Sequence, residues 1–174
     1  MAAKAEQIFE SELRVVGFDT AREQGIIEYI DPRDDYLDSI ISQIDMKATR
    51  ARRPRIILDP MYGVGLTGLS TILYTARCDI DTIHAGHDAF FGRRLPAPTE
   101  DTLYHLKREV IEHNAVVGIA TDGDADRLGI IDEKGNYVSS NLVLVLFYYY
   151  LLKYKGWKGA AVRNLSTTHL LDRV

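Results

Sequence analysis

A short acidic segment near the middle of the sequence is the part best suited to chemistry. Asp122, Asp124 and Asp126 alternate with two small residues, and Arg127 follows directly. Without a cation between them, such close carboxylates repel one another by on the order of several kcal/mol at low effective dielectric. Oxygen-only ligands suit Mg²⁺ or Ca²⁺, and three protein ligands leave positions for water or phosphate, as Mg²⁺ prefers. The segment therefore predicts a magnesium site, with the guanidinium of Arg127 placed to hold a phosphate oxygen beside the metal.

Two apolar runs flank the acidic segment, at residues 116–120 and 128–131. Both are short, rich in β-branched residues and bounded by polar residues, a pattern that is typical of buried strands. The connection between them is too short for a crossover, so the two strands must run antiparallel. The acidic segment is then a tight turn, and its alternate spacing predicts that the three carboxylates point at one spot.

Three other interpretations of the acidic segment stay open at this point. A calcium loop of the EF-hand type would use the three aspartates with Glu133 at the twelfth position, but Arg127 stands where that loop needs glycine. A haloacid-dehalogenase-like phosphotransferase would use Asp122 as its nucleophile, although Asp126 replaces the usual Thr or Val of that loop. A solvated acidic turn is the third interpretation.

Several segments of the sequence resemble one enzyme superfamily. Residues 121–127, TDGDADR, resemble the metal loop of the α-D-phosphohexomutase superfamily, which contains phosphoglucomutase and phosphomannomutase. Residues 59–65, DPMYGVG, resemble the opening turn of that family's second domain, and residues 90–98, FFGRRLPAP, are similar to the loop before its next helix. Residues 132–135, DEKG, resemble the turn after the metal loop. These segments follow family order over residues 28–174.

The resemblance implies a function for the acidic segment. A phosphohexomutase interconverts hexose 1-phosphate and hexose 6-phosphate through a phosphoserine, and Mg²⁺ withdraws charge from the phosphoryl group. It implies Asp122, Asp124 and Asp126 as metal ligands, Arg127 as a phosphate contact, and a hexose phosphate and the enzyme's other domains as partners. A non-catalytic interaction module with the same fold stays an alternative, but it would have no need to keep three carboxylates together.

Other loops of the superfamily do not occur in this sequence. It contains neither the phosphoserine loop, Thr/Ala-Ser-His-Asn-Pro, nor the sugar-binding Gly-Glu-x-Ser-Gly and phosphate-binding Arg-x-Ser-Gly-Thr loops. We therefore expect that the chain supplies the metal half of the reaction and is inactive alone. Residues 90–98 lack the stretch typical of phosphoglucosamine mutases, which disfavours that branch. The choice between glucose and mannose is expected to depend largely on the other domains, and we favour glucose slightly.

The resemblance also predicts the domain organisation. Residues 1–27 would be a helix and connector from the end of a first domain, and residues 28–139 a second domain that contains the metal loop. Residues 140–174 would be the truncated start of a third domain. The alternative is that this last segment packs as an appendage of the second domain.

Composition excludes several classes of protein. The 174 residues carry a net charge of −4, which argues against nucleic-acid binding. The single cysteine, Cys78, excludes a disulfide framework, and we expect it to pack beside a strand. The longest apolar run, residues 142–152, is far shorter than the roughly 20 residues of a membrane span. With no signal-peptide core, the sequence predicts a cytoplasmic protein without a membrane partner.

Strand and helix patterns alternate along the chain and predict the fold class. The expected fold is a three-layer α/β/α sandwich with a mixed, mostly parallel four-stranded sheet. Residues 15–30 are expected to be extended or irregular. Helices are expected over residues 3–13, 32–49, 66–77, 100–114 and 141–155, with another starting at Thr167. Strands are expected over residues 55–58, 79–84, 116–120, 128–131 and 160–165.

Further polar residues have weaker assignments. His84 and His87 could form part of a metal site, but a role in a loop or an interface is favoured. His105 is expected on an exposed helix face. Gly63 and Gly65 could cradle an anion, yet the resemblance assigns them to a structural turn.

Overall fold

The computed structural model of the protein describes residues 15–174. The helix predicted over residues 3–13 therefore lies outside the described residues. The chain divides into a first unit that ends at Ser39 and a second unit, Ile40–Val174. The second unit contains the sheet and the acidic segment.

The first unit contains a short helix that the sequence did not predict. Helix α1 spans Phe18–Glu23, so the expectation of an extended or irregular segment was wrong here. The helix begins after Gly17, with Asp19 in its first turn and Arg22 in its last. These charges complement the helix dipole, and Ala21 is buried.

The helix predicted over residues 32–49 is two helices in the structure. Helix α2 spans Arg33–Gln43 and helix α3 spans Met46–Arg52. The break lies at Asp45, whose side chain accepts hydrogen bonds from the backbone amides of Lys47 and Ala48 at 3.2 Å. An aspartate in this position starts a new helix, which the apolar periodicity did not indicate.

Five strands form the sheet of the second unit. They are β1 (Arg55–Asp59), β2 (Asp79–Thr82), β3 (Val117–Thr121), β4 (Leu128–Asp132) and β5 (Tyr137–Val138). Their order is β2-β1-β3-β4-β5. Strand β1 pairs in parallel with β2 and β3, whereas β3–β4 and β4–β5 are antiparallel. The predicted α/β class and the antiparallel pair are confirmed. The sheet has one strand more than the four predicted, because β5 has only two residues, too few for a recognisable alternating pattern.

Helices cover both faces of this sheet. They are α4 (Gly65–Thr75), α5 (Tyr104–Glu112) and α6 (Ser140–Lys153). Leu106 and Val110 of α5 pack with Ile57 in one buried cluster, whereas Ile56 packs with Ala76 and Cys78 in another. Neighbouring residues of one strand point to opposite faces, so these two clusters give the three predicted layers. Cys78 is buried in packing, as expected.

The strand predicted over residues 160–165 is absent from the structure. Val162 and Leu165 are 98% and 96% exposed, and no strand of the described sheet pairs with this segment. A strand requires a neighbour to accept its backbone hydrogen bonds, so the apolar pattern alone was insufficient. The predicted helix start at Thr167 is a 3₁₀ helix, His169–Arg173. None of the helices within residues 15–174 is long and apolar enough to cross a membrane.

Candidate metal centre

The acidic loop, residues 122–127, connects β3 to β4. Thr121 and Leu128 face each other as the last residue pair of the two strands. The loop closes with a hydrogen bond from the Ala125 amide to the Asp122 carbonyl, and Ala125 has a φ of +61°. The tight turn predicted from the sequence is therefore observed, and its strands exclude the helix–loop–helix geometry of an EF-hand.

The three aspartates of this loop converge. Each offers a carboxylate oxygen, and these oxygens all lie within 4.8 Å of one another. Asp122 is completely buried, whereas Asp124 and Asp126 are exposed. The predicted convergence is confirmed, and the role of these side chains as metal ligands stays a prediction. Within residues 15–174, no other group of three candidate ligands forms, so the metal role considered for His84 and His87 gains no support.

Arg127 contacts the carboxylates directly. Its Nε donates to Oδ2 of Asp122 at 2.6 Å, and its backbone amide donates to Oδ1 of Asp122 at 2.9 Å. The same Nε lies 3.4 Å from Oδ1 of Asp126. The guanidinium therefore offsets part of the repulsion in the loop, and its side chain is 65% exposed. The contact with a phosphate oxygen that the sequence suggested stays a prediction.

The acidic loop distributes its charge unevenly. Burial of Asp122 opposes ionisation, but hydrogen bonds from the amide and guanidinium of Arg127 outweigh it and lower the pKa of this carboxyl. The pKa of Asp126 is raised, first by the hydrogen bond shared with Asp122 and then by the charge of Asp124. Asp122 is thus an anchored anion, and Asp126 experiences the excess negative charge.

The turn between β1 and α4 supports the acidic loop from one side. The backbone amide of Val64 donates to the carbonyl oxygen of Gly123 at 3.0 Å. A Cβ atom on Gly63 would lie only 2.5 Å from the same oxygen, so glycine is required for this approach. A Cβ atom on Gly65 would lie 2.5 Å from Oγ1 of Thr121. Both glycines serve close packing, in agreement with the structural alternative.

A second polar cluster was missed by sequence reasoning. Asp59, His84, His105 and Arg94 form a connected set, which we call the histidine network. Nδ1 of His84 lies 3.0 Å from Oδ2 of Asp59, and Nε2 of His84 lies 3.3 Å from Nδ1 of His105. Arg94 lies 3.3 Å from that same nitrogen of His105. The expectation of an exposed His105 was therefore wrong. Burial, followed by the charge of Arg94, lowers the pKa of His105.

The clearest sequence signal for this network was the position of Asp59. An acidic residue that ends a buried strand requires a partner, because an unpaired buried charge is costly. Asp59 is only 2% exposed. The partner is His84, which lies at the end of the neighbouring parallel strand and far away in sequence.

The central part of the chain matches a known family. Residues 34–135 match the family model described as "Phosphoglucomutase/phosphomannomutase, alpha/beta/alpha domain II". The chain belongs to the phosphoglucomutase/phosphomannomutase family. The match includes the sheet up to β4, the acidic loop and the histidine network. The superfamily predicted from the motifs is therefore confirmed, which favours it over the haloacid-dehalogenase-like alternative.

Individual relatives agree with this family. A "Phosphoglucomutase/phosphomannomutase" from Thermococcus kodakarensis is 32% identical over 139 residues, which cover 80% of this chain and 30% of that protein. A "Probable phosphoglucosamine mutase" from Methanosarcina barkeri is 37% identical over 117 residues, covering 67% of this chain and 26% of that protein. A structure from Thermus thermophilus, provisionally named a phosphomannomutase, is 28% identical, with a TM-score of 0.73 over 84% of this chain and 34% of that one.

The relatives bear on two earlier expectations. The chain spans 30% or less of the length of the first two curated relatives. The match therefore does not by itself assign the activity of these whole proteins to this chain. The names of the relatives include glucose, mannose and glucosamine enzymes, so the sequence argument against glucosamine gains no support from them.

Proposed function

We propose that this chain is the metal-binding part of a phosphohexomutase that interconverts hexose 1-phosphate and hexose 6-phosphate. The observation that supports this most directly is the convergence of three carboxylates in the acidic loop. The loop lies inside the residues that match the family model. We favour glucose as the sugar, with mannose as the second option.

The composition of the acidic loop fits Mg²⁺. Asp122, Asp124 and Asp126 would hold the ion, and all three offer the hard oxygen ligands that it prefers. Three ionised carboxylates and one guanidinium leave two negative charges uncompensated, which a divalent cation neutralises. When bound, the ion supplies Lewis-acid stabilisation of the charge on a phosphoryl group.

The protein's own residues prepare the site for this role. Arg127 fixes Asp122 through two hydrogen bonds, so one ligand is held in place before any ion arrives. Asp124 and Asp126 are exposed, which leaves this side of the loop open to a phosphate. The exposed guanidinium of Arg127 stands beside this open side, where it can contact a phosphate oxygen.

The phosphoryl-carrying serine is proposed to lie in another domain of the enzyme. No serine of this chain occurs in a Ser-His-Asn-Pro sequence. The partners of this domain are then a hexose phosphate and the other domains of the same enzyme. The isolated chain is expected to be inactive as a mutase.

Metal titration of the isolated chain tests the proposal. We expect a dissociation constant for Mg²⁺ on the order of millimolar, because a strongly hydrated ion with few protein ligands binds weakly. Mn²⁺ used as a paramagnetic probe should broaden the NMR signals of residues 122–127 first. Asp124→Asn should abolish this broadening, and Glu133→Gln is the matched control on an exposed neighbouring carboxylate.

Two outcomes would contradict the proposal. Micromolar affinity for Mg²⁺ or Ca²⁺ would indicate a complete metal site that needs no phosphate. No broadening of the acidic loop even at high Mn²⁺ would favour the non-catalytic interaction module.

A further inference from the structure

The histidine network begins at a carboxylate in the interior of the second unit. Both oxygens of Asp59 lie within 3.1 Å of Nδ1 of His84. Carboxylate oxygens are acceptors, so we assign Nδ1 of His84 as the donor of this pair. Oδ1 of Asp59 also accepts a hydrogen bond from the backbone amide of Met61 at 2.9 Å. Asp59 thus joins the histidine to the first residues of the turn between β1 and α4.

This turn has a strained backbone that its hydrogen bonds maintain. Met61 and Tyr62 have φ values of +49° and +62°, in the left-handed region that side chains other than glycine rarely adopt. The amide of Tyr62 donates to the carbonyl oxygen of His84 at 2.9 Å. His84 therefore holds the turn twice, through its backbone and through Asp59. Such a conformation persists where surrounding contacts over-determine it, and these residues supply those contacts.

The turn between β1 and α4 also positions the acidic loop. Val64 donates to the carbonyl oxygen of Gly123, and Gly63 packs against the same peptide. On the other side, the ring of Phe91 lies 3.0 Å from where a Cβ atom of Gly123 would be. The Gly123 peptide is therefore clamped between two loops. Since it joins Asp122 to Asp124, its orientation sets the directions of both side chains.

We propose that Asp59 and His84 are a positioning pair for the acidic loop. Neither residue touches the three carboxylates, but together they fix the turn whose amide holds Gly123. The pair thereby keeps the loop in the geometry that a divalent cation needs. This inference rests on the proposed metal-binding function, and nothing in the family match assigns a role to either residue.

The test compares two substitutions of the same histidine. His84→Leu removes the donor to Asp59, whereas His84→Asn places a carboxamide N–H where Nδ1 was. Asparagine also tolerates the φ of +48° at this position. We expect His84→Leu to weaken Mn²⁺ affinity about 10-fold, the lower end of the range for residues that orient metal ligands. His84→Asn should restore affinity to within about twofold of the wild type, as a hydrogen-bonding role requires.

Hydrogen exchange of the Val64 amide provides a readout that does not need metal. Because this amide donates to the carbonyl oxygen of Gly123, we expect it to be protected in the wild type. His84→Leu should accelerate its exchange, and His84→Asn should preserve the protection. Asp81→Asn, which removes an ion pair between Arg55 and the edge strand β2, is the matched control and should change neither readout. Should His84→Leu fail to fold, Asp59→Ala breaks the same pair from the other side by removing the acceptor.

The outcomes separate this inference from the proposed function. If the wild type binds no Mn²⁺, the proposed function fails. Hydrogen exchange of the Val64 amide in the variants then still tests whether Asp59 and His84 position the acidic loop. If folded His84→Leu or Asp59→Ala retains wild-type affinity and Val64 protection, the positioning role is overturned. It is also overturned if both variants fail to fold, because the pair then stabilises the whole unit.

Discussion

The acidic loop and the histidine network lie at the same edge of the sheet but balance their charges in opposite ways. Asp59 ends β1, and Asp122 directly follows β3, its parallel neighbour. The network surrounds a buried carboxylate with donors, whereas the acidic loop leaves two of its three carboxylates exposed. Carboxyl ends of parallel strands are where α/β proteins bind ligands. The difference supports the proposal that the acidic loop, and not the network, is the part that binds a ligand.

The largest expected effect is on catalysis, and it comes from a substitution in the acidic loop. In a full-length mutase that contains this domain, Asp124→Asn should lower kcat by about 100-fold or more, because it removes charge stabilisation from the transition state. Thermal unfolding should change little, since neutralising one of three repelling carboxylates relieves strain in the metal-free protein.

Steady-state kinetics and calorimetry of the purified enzyme check this prediction. The control is Glu133→Gln, which changes an exposed carboxylate beyond the loop and should leave kcat unchanged. Equal losses of activity in the two variants would mean that the metal ligands are assigned wrongly.

The two clusters also differ in how far the sequence predicted them. The acidic loop was predictable because its residues are contiguous and its flanking strands have a clear apolar pattern. The histidine network was not, because its contacts join residues 25 and 21 positions apart, Asp59 with His84 and His84 with His105. A periodicity assigns a residue to a face of its own element but does not show which distant side chain lies opposite.

The same limit explains the errors elsewhere in the fold. The pattern of residues 160–165 is typical of a strand, but no neighbouring strand exists in the described sheet to pair with it. Conversely, Tyr137–Val138 pairs with β4 although two residues form no recognisable pattern. Strand existence depends on partners, and partners are a property of the whole fold.

Gly63 connects the two clusters, and its substitution should give the second largest effect. In Gly63→Ala the added methyl group would lie 2.5 Å from the carbonyl oxygen of Gly123, so the turn or the acidic loop must move. We expect the free energy of unfolding to fall by about 1–3 kcal/mol, as for other overpacked sites. Urea unfolding measures this change.

Gly86→Ala is the matched control for that substitution. A Cβ atom there would have no atom of the described residues within 4 Å, so stability should change by less than about 0.5 kcal/mol. If Gly63→Ala leaves the free energy of unfolding unchanged, the histidine network does not determine the position of the acidic loop through this turn.

Thr121, the last residue of β3, tests whether the hydrogen-bonding groups next to the acidic loop all have partners, as those of the histidine network do. Among residues 15–174, its buried hydroxyl oxygen has no hydrogen-bond partner, unlike the carboxylate of Asp59. Thr121→Val keeps the shape and removes the unsatisfied group, so we expect a gain in unfolding free energy of about 1 kcal/mol. Urea unfolding again provides the measurement, and a loss of stability would mean that the hydroxyl has a partner in solution.

The smallest effect on the free energy of unfolding should come from Ala125 in the acidic loop. Ala85, which follows His84 of the histidine network, provides the comparison. The φ of +61° at Ala125 is unfavourable for alanine, and in this region glycine has no steric penalty. Ala125→Gly removes that penalty but increases the entropy of the unfolded chain, so the net gain in stability should be only about 0.5 kcal/mol. Ala85→Gly, at an exposed position without a positive φ, should instead lose a similar amount. Opposite signs in chemical denaturation would show that the loop is strained in solution, whereas equal losses would mean that Ala125 leaves the left-handed region there.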